Sequence, residues 1–119
     1  MTTPVSEAVR VLQAAFPDVP VSTRVPNPRP RRFIRLSRAG GSRGYGVDHP
    51  RLIIECWSTD EGIAERDVLA VDDFLRNEAG DLSRVISAWT DVTIAYFPDP
   101  DIPAEHRYQV TGLLHCITS

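Results

Sequence analysis

The chain contains no lysine: all thirteen of its basic residues are arginine. No folding rule requires that choice. It fits GC-rich coding, and it also provides planar, bidentate contacts that lysine cannot make. Cysteine is scarce as well. Cys56 and Cys116 lie in apolar, strand-like runs without CxxC spacing, so they read as small core residues and not as a disulfide framework or a metal set. No hydrophobic run approaches the length of a membrane span, and the N-terminal MTTPVSEAVRVLQ lacks both a basic n-region and an uninterrupted apolar stretch. The expectation is a chain made in a cytoplasm, with neither a signal peptide nor a membrane partner.

Candidate catalytic chemistry is equally thin. His49, His106 and His115 are scattered, without the local spacing of metal ligands. His115 and Cys116 are neighbours, yet adjacent strand residues point to opposite faces and cannot form a nucleophile–base dyad there. The glycines of the 40–46 segment lack the Gly-Lys-Ser/Thr ending that would lead a phosphate loop onto a helix. Asp67, Asp72 and Asp73 fall on the wet side of a helical pattern, so they read as a solvated face and not a metal cluster. The sequence assigns no catalytic residue, no cofactor and no metal, and the chain reads as a non-enzyme.

What is present suits one soluble domain spanning residues 1–119. The 42% hydrophobic and 24% charged content is ordinary for a globular protein, and the length suffices to bury a core without staples. Net charge is a modest −3, but it is unevenly spread. Seven arginines lie between positions 24 and 43, while acidic residues crowd 55–81 and 91–105, which predicts a dipolar surface.

In chain order, Thr3 and Pro4 mark a helix start, and Val5, Ala8, Val9, Leu12, Ala15 and Phe16 form its buried stripe, with Glu7, Arg10 and Gln13 left to solvent. Residues 21–25 alternate as a strand. Pro26, Pro28 and Pro30 then predict an extended, polyproline-like connection. Strands are expected over 32–38 and 50–57, separated by a glycine-rich loop, and the second, apolar on both faces, should be central. Ser58 with Glu61 predicts a capping box opening a helix to about Ala79, with Asp72 facing out and Gly80 closing it. Short strands follow at 83–89 and 91–97, then a proline-rich loop, then a strand over 106–117 in which Gly112 marks a bulge or a close approach. The fold class is α+β, a mainly antiparallel sheet with two packed helices and a long extended β-hairpin.

Val25-Pro26-Asn27-Pro28-Arg29-Pro30, Phe33-Ile34-Arg35, the Gly40-Gly41 pair, Pro50-Arg51-Leu52, Glu55-Cys56-Trp57, Pro98-Asp99-Pro100 and Arg107-Tyr108 together resemble the tail terminator (tail completion) proteins of long-tailed actinobacterial phages and prophages. The likeness is one of layout and short phrases and spans nearly the whole chain. It implies a structural virion protein: a small α+β subunit that forms a hexameric ring on the head-proximal end of the tail tube, ends tube polymerisation and offers the head-joining surface. The partners it implies are further copies of the chain, the tail tube protein and a head-completion or connector protein. DNA would pass through the ring without specific binding. The location it implies is the virion's head–tail interface, after assembly in the host cytoplasm. The residues expected to make assembly contacts are Arg35, Arg38, Arg43, Tyr45 and Arg51, on a hairpin that acts as an arm, with Gly40–Val47 mobile until a neighbour orders it. The alternatives are a nucleic-acid-binding module using the same arginines, weakened by the lack of interleaved aromatics, and another head–tail connector subunit.

Overall fold

The computed structural model describes residues 3–118, so residues 1, 2 and 119 of the expected domain lie outside it. Helix α1 (Pro4–Ala15) starts where the sequence places it: Thr3 Oγ1 accepts from the Ser6 amide, Ser6 Oγ accepts from the Thr3 amide, and Pro4 opens the first turn. Its buried side carries Ala8, Val11 and Leu12. Glu7, expected in solvent, is buried there too, because Arg10 and Ser83 supply hydrogen bonds that replace water.

Strands β1 (Val21–Ser22), β2 (Arg32–Gly44), β3 (Val47–Ser58), β4 (Ile86–Tyr96) and β5 (His106–Ile117) form one sheet in the order β1-β2-β3-β5-β4. All neighbouring pairs are antiparallel except β1 with β2. The expected 21–25 strand is cut to two residues, and the connection after it bends at Asn27 and Pro28, whose peptide is cis. β3 is central, as its doubly apolar pattern requires.

Helix α2 (Glu61–Asn77) crosses the sheet over β3, β5 and β4. Its cap is Asp60, whose carboxylate accepts from the Ile63 amide, and not Ser58, whose hydroxyl accepts from the Asp60 amide instead. Gly80 does not close this helix: α2 ends at Asn77, and Gly80 lies inside the short α3 (Ala79–Leu82). Asp72 faces inward, accepting from the Trp89 indole N–H at 3.0 Å and from Arg76 at 3.1 Å. Asp67 is likewise buried, in a bidentate pair with Arg32 at 2.7 Å. These two carboxylates are committed to structural partners, while Asp73 stays exposed as expected.

Both long helices share one side of the sheet. Between them lie Ile34, Leu36, Leu52, Ile54, Cys56, Val110, Leu114 and Cys116, all buried. The thiols are free, and burial pushes Cys116 up to about 11 and raises Cys56 as well. The two strands expected over 83–97 are the single strand β4, bulged between Thr90 and Thr93 with Asp91 at φ 57°. Gly112 is a close approach: the Trp89 ring lies across it, 2.7 Å from where a Cβ would stand.

Candidate assembly surface

The glycine-rich segment that reads as a mobile loop is strand. β2 runs on to Gly44 and β3 begins at Val47, leaving Tyr45 and Gly46 as the turn. Gly41 pairs with Pro50, Ser42 with His49 and Arg43 with Asp48, after a bulge between Arg38 and Gly41. Gly40 and Gly41 take φ of 116° and 96°, and a Cβ on Gly41 would stand 2.0 Å from the His49 carbonyl oxygen. Glycine here admits a tight bulge inside a ladder. Nor is the hairpin a free arm, because β5 follows β3 to its first residue: Val47 pairs with Ile117, and the Thr118 amide donates to Gly46. Only the turn projects, with Tyr45 fully exposed.

The five expected contact residues do not converge. Arg38 and Arg43 lie on the helix side, where Arg38 grips Asp48 with two 2.9 Å bonds and Arg43 stands 3.7 Å away, 74% exposed. Asp48 is buried, and the Arg38 guanidinium holds its carboxyl below the usual carboxylate range. Arg35 and Arg51 project from the opposite side, Arg35 onto Glu55 at 3.1 Å and Arg51 onto Asp91 at 2.9 Å. The arginine cluster is therefore largely neutralised within the subunit. Arg24, Arg31, Arg66 and Arg84 are exposed and carry no ion pair among the described residues.

The helix-free side carries a cluster that the sequence did not single out. Phe33 and Trp57, cross-strand neighbours, stack at 5.6 Å between centroids. Arg29 lies 4.8 Å from the Trp57 ring and 5.1 Å from Phe33, while Arg107 lies 4.9 Å from both Trp57 and Phe97. Glu105 fixes Arg29 through a bidentate pair, and Glu55 takes Arg35 and Arg107 together. The arrangement seals one end of the open sheet with aromatic faces and guanidinium planes. Its members, Arg29, Phe33, Trp57, Phe97 and Arg107, follow no regular spacing in the sequence, and only the strand pairing brings them together.

The two flanks of the sheet differ in sign. Beside β4, α2 presents Glu61 and Glu65 next to Tyr108, whose hydroxyl is pushed up by burial and then by these two carboxylates. Exposed apolar residues line this flank: Leu69 on α2, and Ile94 and Tyr96 on β4. Beside β1, the exposed side chains include Asp18, Thr23, Arg24, Val25 and Arg31, two cations to one carboxylate. A hollow of about 430 Å³, lined by Ala15, Phe74, Glu78, Asp81 and Leu82, opens between the ends of α1 and α2 and holds no nucleophile–base pair. Among the described residues no group of His, Cys, Asp and Glu could hold a metal ion, and no helix is long and apolar enough to cross a membrane. Compared with models of known families and with curated proteins, the chain matches none.

Proposed function

We propose that this chain is a ring-forming structural subunit of the tail terminator kind, capping the end of a phage tail tube and presenting a surface to the head. The observation that carries the reading is where the resembling phrases meet in space. Segments far apart in sequence, around Arg29, Phe33, Glu55, Trp57, Phe97 and Arg107, assemble into the one stack of rings and guanidinium groups. That stack sits on a mainly antiparallel sheet with both long helices on one side, which is compatible with the layout the resemblance implies. A ring also needs two unlike patches on each subunit, and the flanks of this sheet differ in charge. Arg35 and Arg38, paired with Glu55 and Asp48, stiffen the hairpin, Arg51 ties it to β4 through Asp91, and Arg43 and Tyr45 are its outward contacts. The same pairing argues against the nucleic-acid module, which needs free cations.

The test is native mass spectrometry of the purified chain, alone and mixed with the tail tube protein of the same phage, with tube length read by electron microscopy. Hexamers at the tube end and arrested elongation are expected. A strict monomer that leaves tube length unchanged overturns the proposal, and tight, salt-sensitive DNA binding would favour the alternative.

A further inference from the structure

The flanks of the sheet allow the contact between copies to be specified, resting on the ring reading above. On the β4 side, Leu69 and Ile94 are 48% and 37% exposed, and Tyr96 is 42% exposed. Leu69 shares its side of α2 with Glu65 and Asp72, four residues before it and three after, and those two touch Tyr108 and Trp89 of the sheet. The result is an apolar strip rimmed by Glu61, Glu65 and Asp73, all exposed, which outnumber the one exposed cation among them, Arg66, three residues before Leu69. An apolar centre with a charged rim is the anatomy of a protein contact.

The opposite flank is its complement. Arg24 and Arg31 are exposed without ion pairs, and Val25, 40% exposed, stands beside Arg24. Pro26, Pro28 and Pro30 restrict the segment, so that little conformational freedom is lost on docking. Self-pairing of two β4 flanks would oppose like charges. Strand addition along β2 is blocked as well: Leu36 is fully buried, and the Arg38 guanidinium covers the carbonyls of Gly40 and Gly41. The contact is therefore made by side chains, between unlike surfaces at opposite ends of the strand order.

We infer that copies of this chain join head to tail, the acidic Leu69–Ile94–Tyr96 flank of one receiving the basic Arg24–Arg31 segment of the next. Being heterologous, such a contact closes into a ring when its rotation closes.

Two double variants test this, Arg24→Glu with Arg31→Glu and Glu61→Arg with Glu65→Arg, with circular dichroism confirming that each stays folded. Each alone should weaken self-association by roughly tenfold or more. Mixed, they regain opposite charge at both contacts, the native acidic flank of one against the native basic segment of the other and the two reversed surfaces against each other. Assembly should therefore return only in the mixture and with the two variants alternating. Variants with one added surface cysteine give a second measure, since both native thiols are buried. On oxidation, Val25→Cys chains should cross-link to Tyr96→Cys chains, and neither should link to itself. Rings that persist in both double variants, or Tyr96→Cys chains that link to one another, overturn this contact and leave the ring reading standing. Cysteine variants that cross-link as described, with a wild-type chain that leaves tube length unchanged, overturn the terminator reading and leave the contact standing. A wild-type chain that is monomeric at every concentration, with cysteine variants that give no cross-link, overturns both.

Discussion

Gly112 has no room for a side chain. The Trp89 indole, anchored by its hydrogen bond to Asp72, covers the position at 2.7 Å, so Gly112→Ala must push a buried ring out of place. The expected loss is about 1–3 kcal/mol in urea unfolding, the usual range for overpacking. Glu7 makes a different prediction. Hydrogen bonds from Arg10, aided by Ser83, hold its pKa at about 2 against the opposing push of burial, from an ordinary value of 4.5. A depressed folded-state pKa contributes stability above the unfolded value, and that contribution is lost as pH falls from about 4.5 towards 2. Glu7→Gln should therefore be less stable than wild type at pH 7, with the gap narrowing across that window in pH-dependent thermal melts. Glu7, Asp67 and Asp72 were the residues least legible in the sequence. Their spacing puts them at the edge of an amphipathic stripe, and only partners distant in sequence, Ser83, Arg32 and Trp89, turn them inward.

At the scale of elements, helices were the easier part to read. Thr3 and Pro4 announce α1 because capping and proline geometry are local chemistry. The hairpin was harder, because glycine and proline ordinarily punctuate a strand. Here Gly41 and Pro50 face each other across a bulge, so the same residues that suggest a loop let the ladder continue. Gly41→Ala combines a positive φ with backbone overlap and should cost about 2–4 kcal/mol, measured by chemical denaturation. Hydrogen exchange offers an independent check: the amides within the 42–49 ladder should exchange far more slowly than those of the 98–104 loop. Fast exchange throughout 40–47 would restore the mobile loop. The bulge at Asp91 was visible only as a polar step, since a register shift is set by the partner strand and not by the bulged one.

For the molecule as a whole, the fold class followed from period-two and period-3.6 patterns, while the strand order, and with it the opposition of acidic and basic flanks, required long-range pairing. The same pairing brought Arg29, Trp57 and Arg107 together and scattered the five arm residues over two faces. Trp57 and Trp89 lie on opposite sides of the sheet. Single-tryptophan variants, Trp57→Phe and Trp89→Phe, should each show one fluorescence transition that coincides with the loss of circular dichroism, as one cooperative core requires. The β2–β3 ladder reaches its turn with β5 beside it, in a body 44 Å long and about 25 Å across. Such a structure is a strut and not a tether. Its shape is settled when the subunit folds, so joining a neighbour orders little new chain, and the angle between successive subunits is set by the rigidity of each one before any encounter takes place.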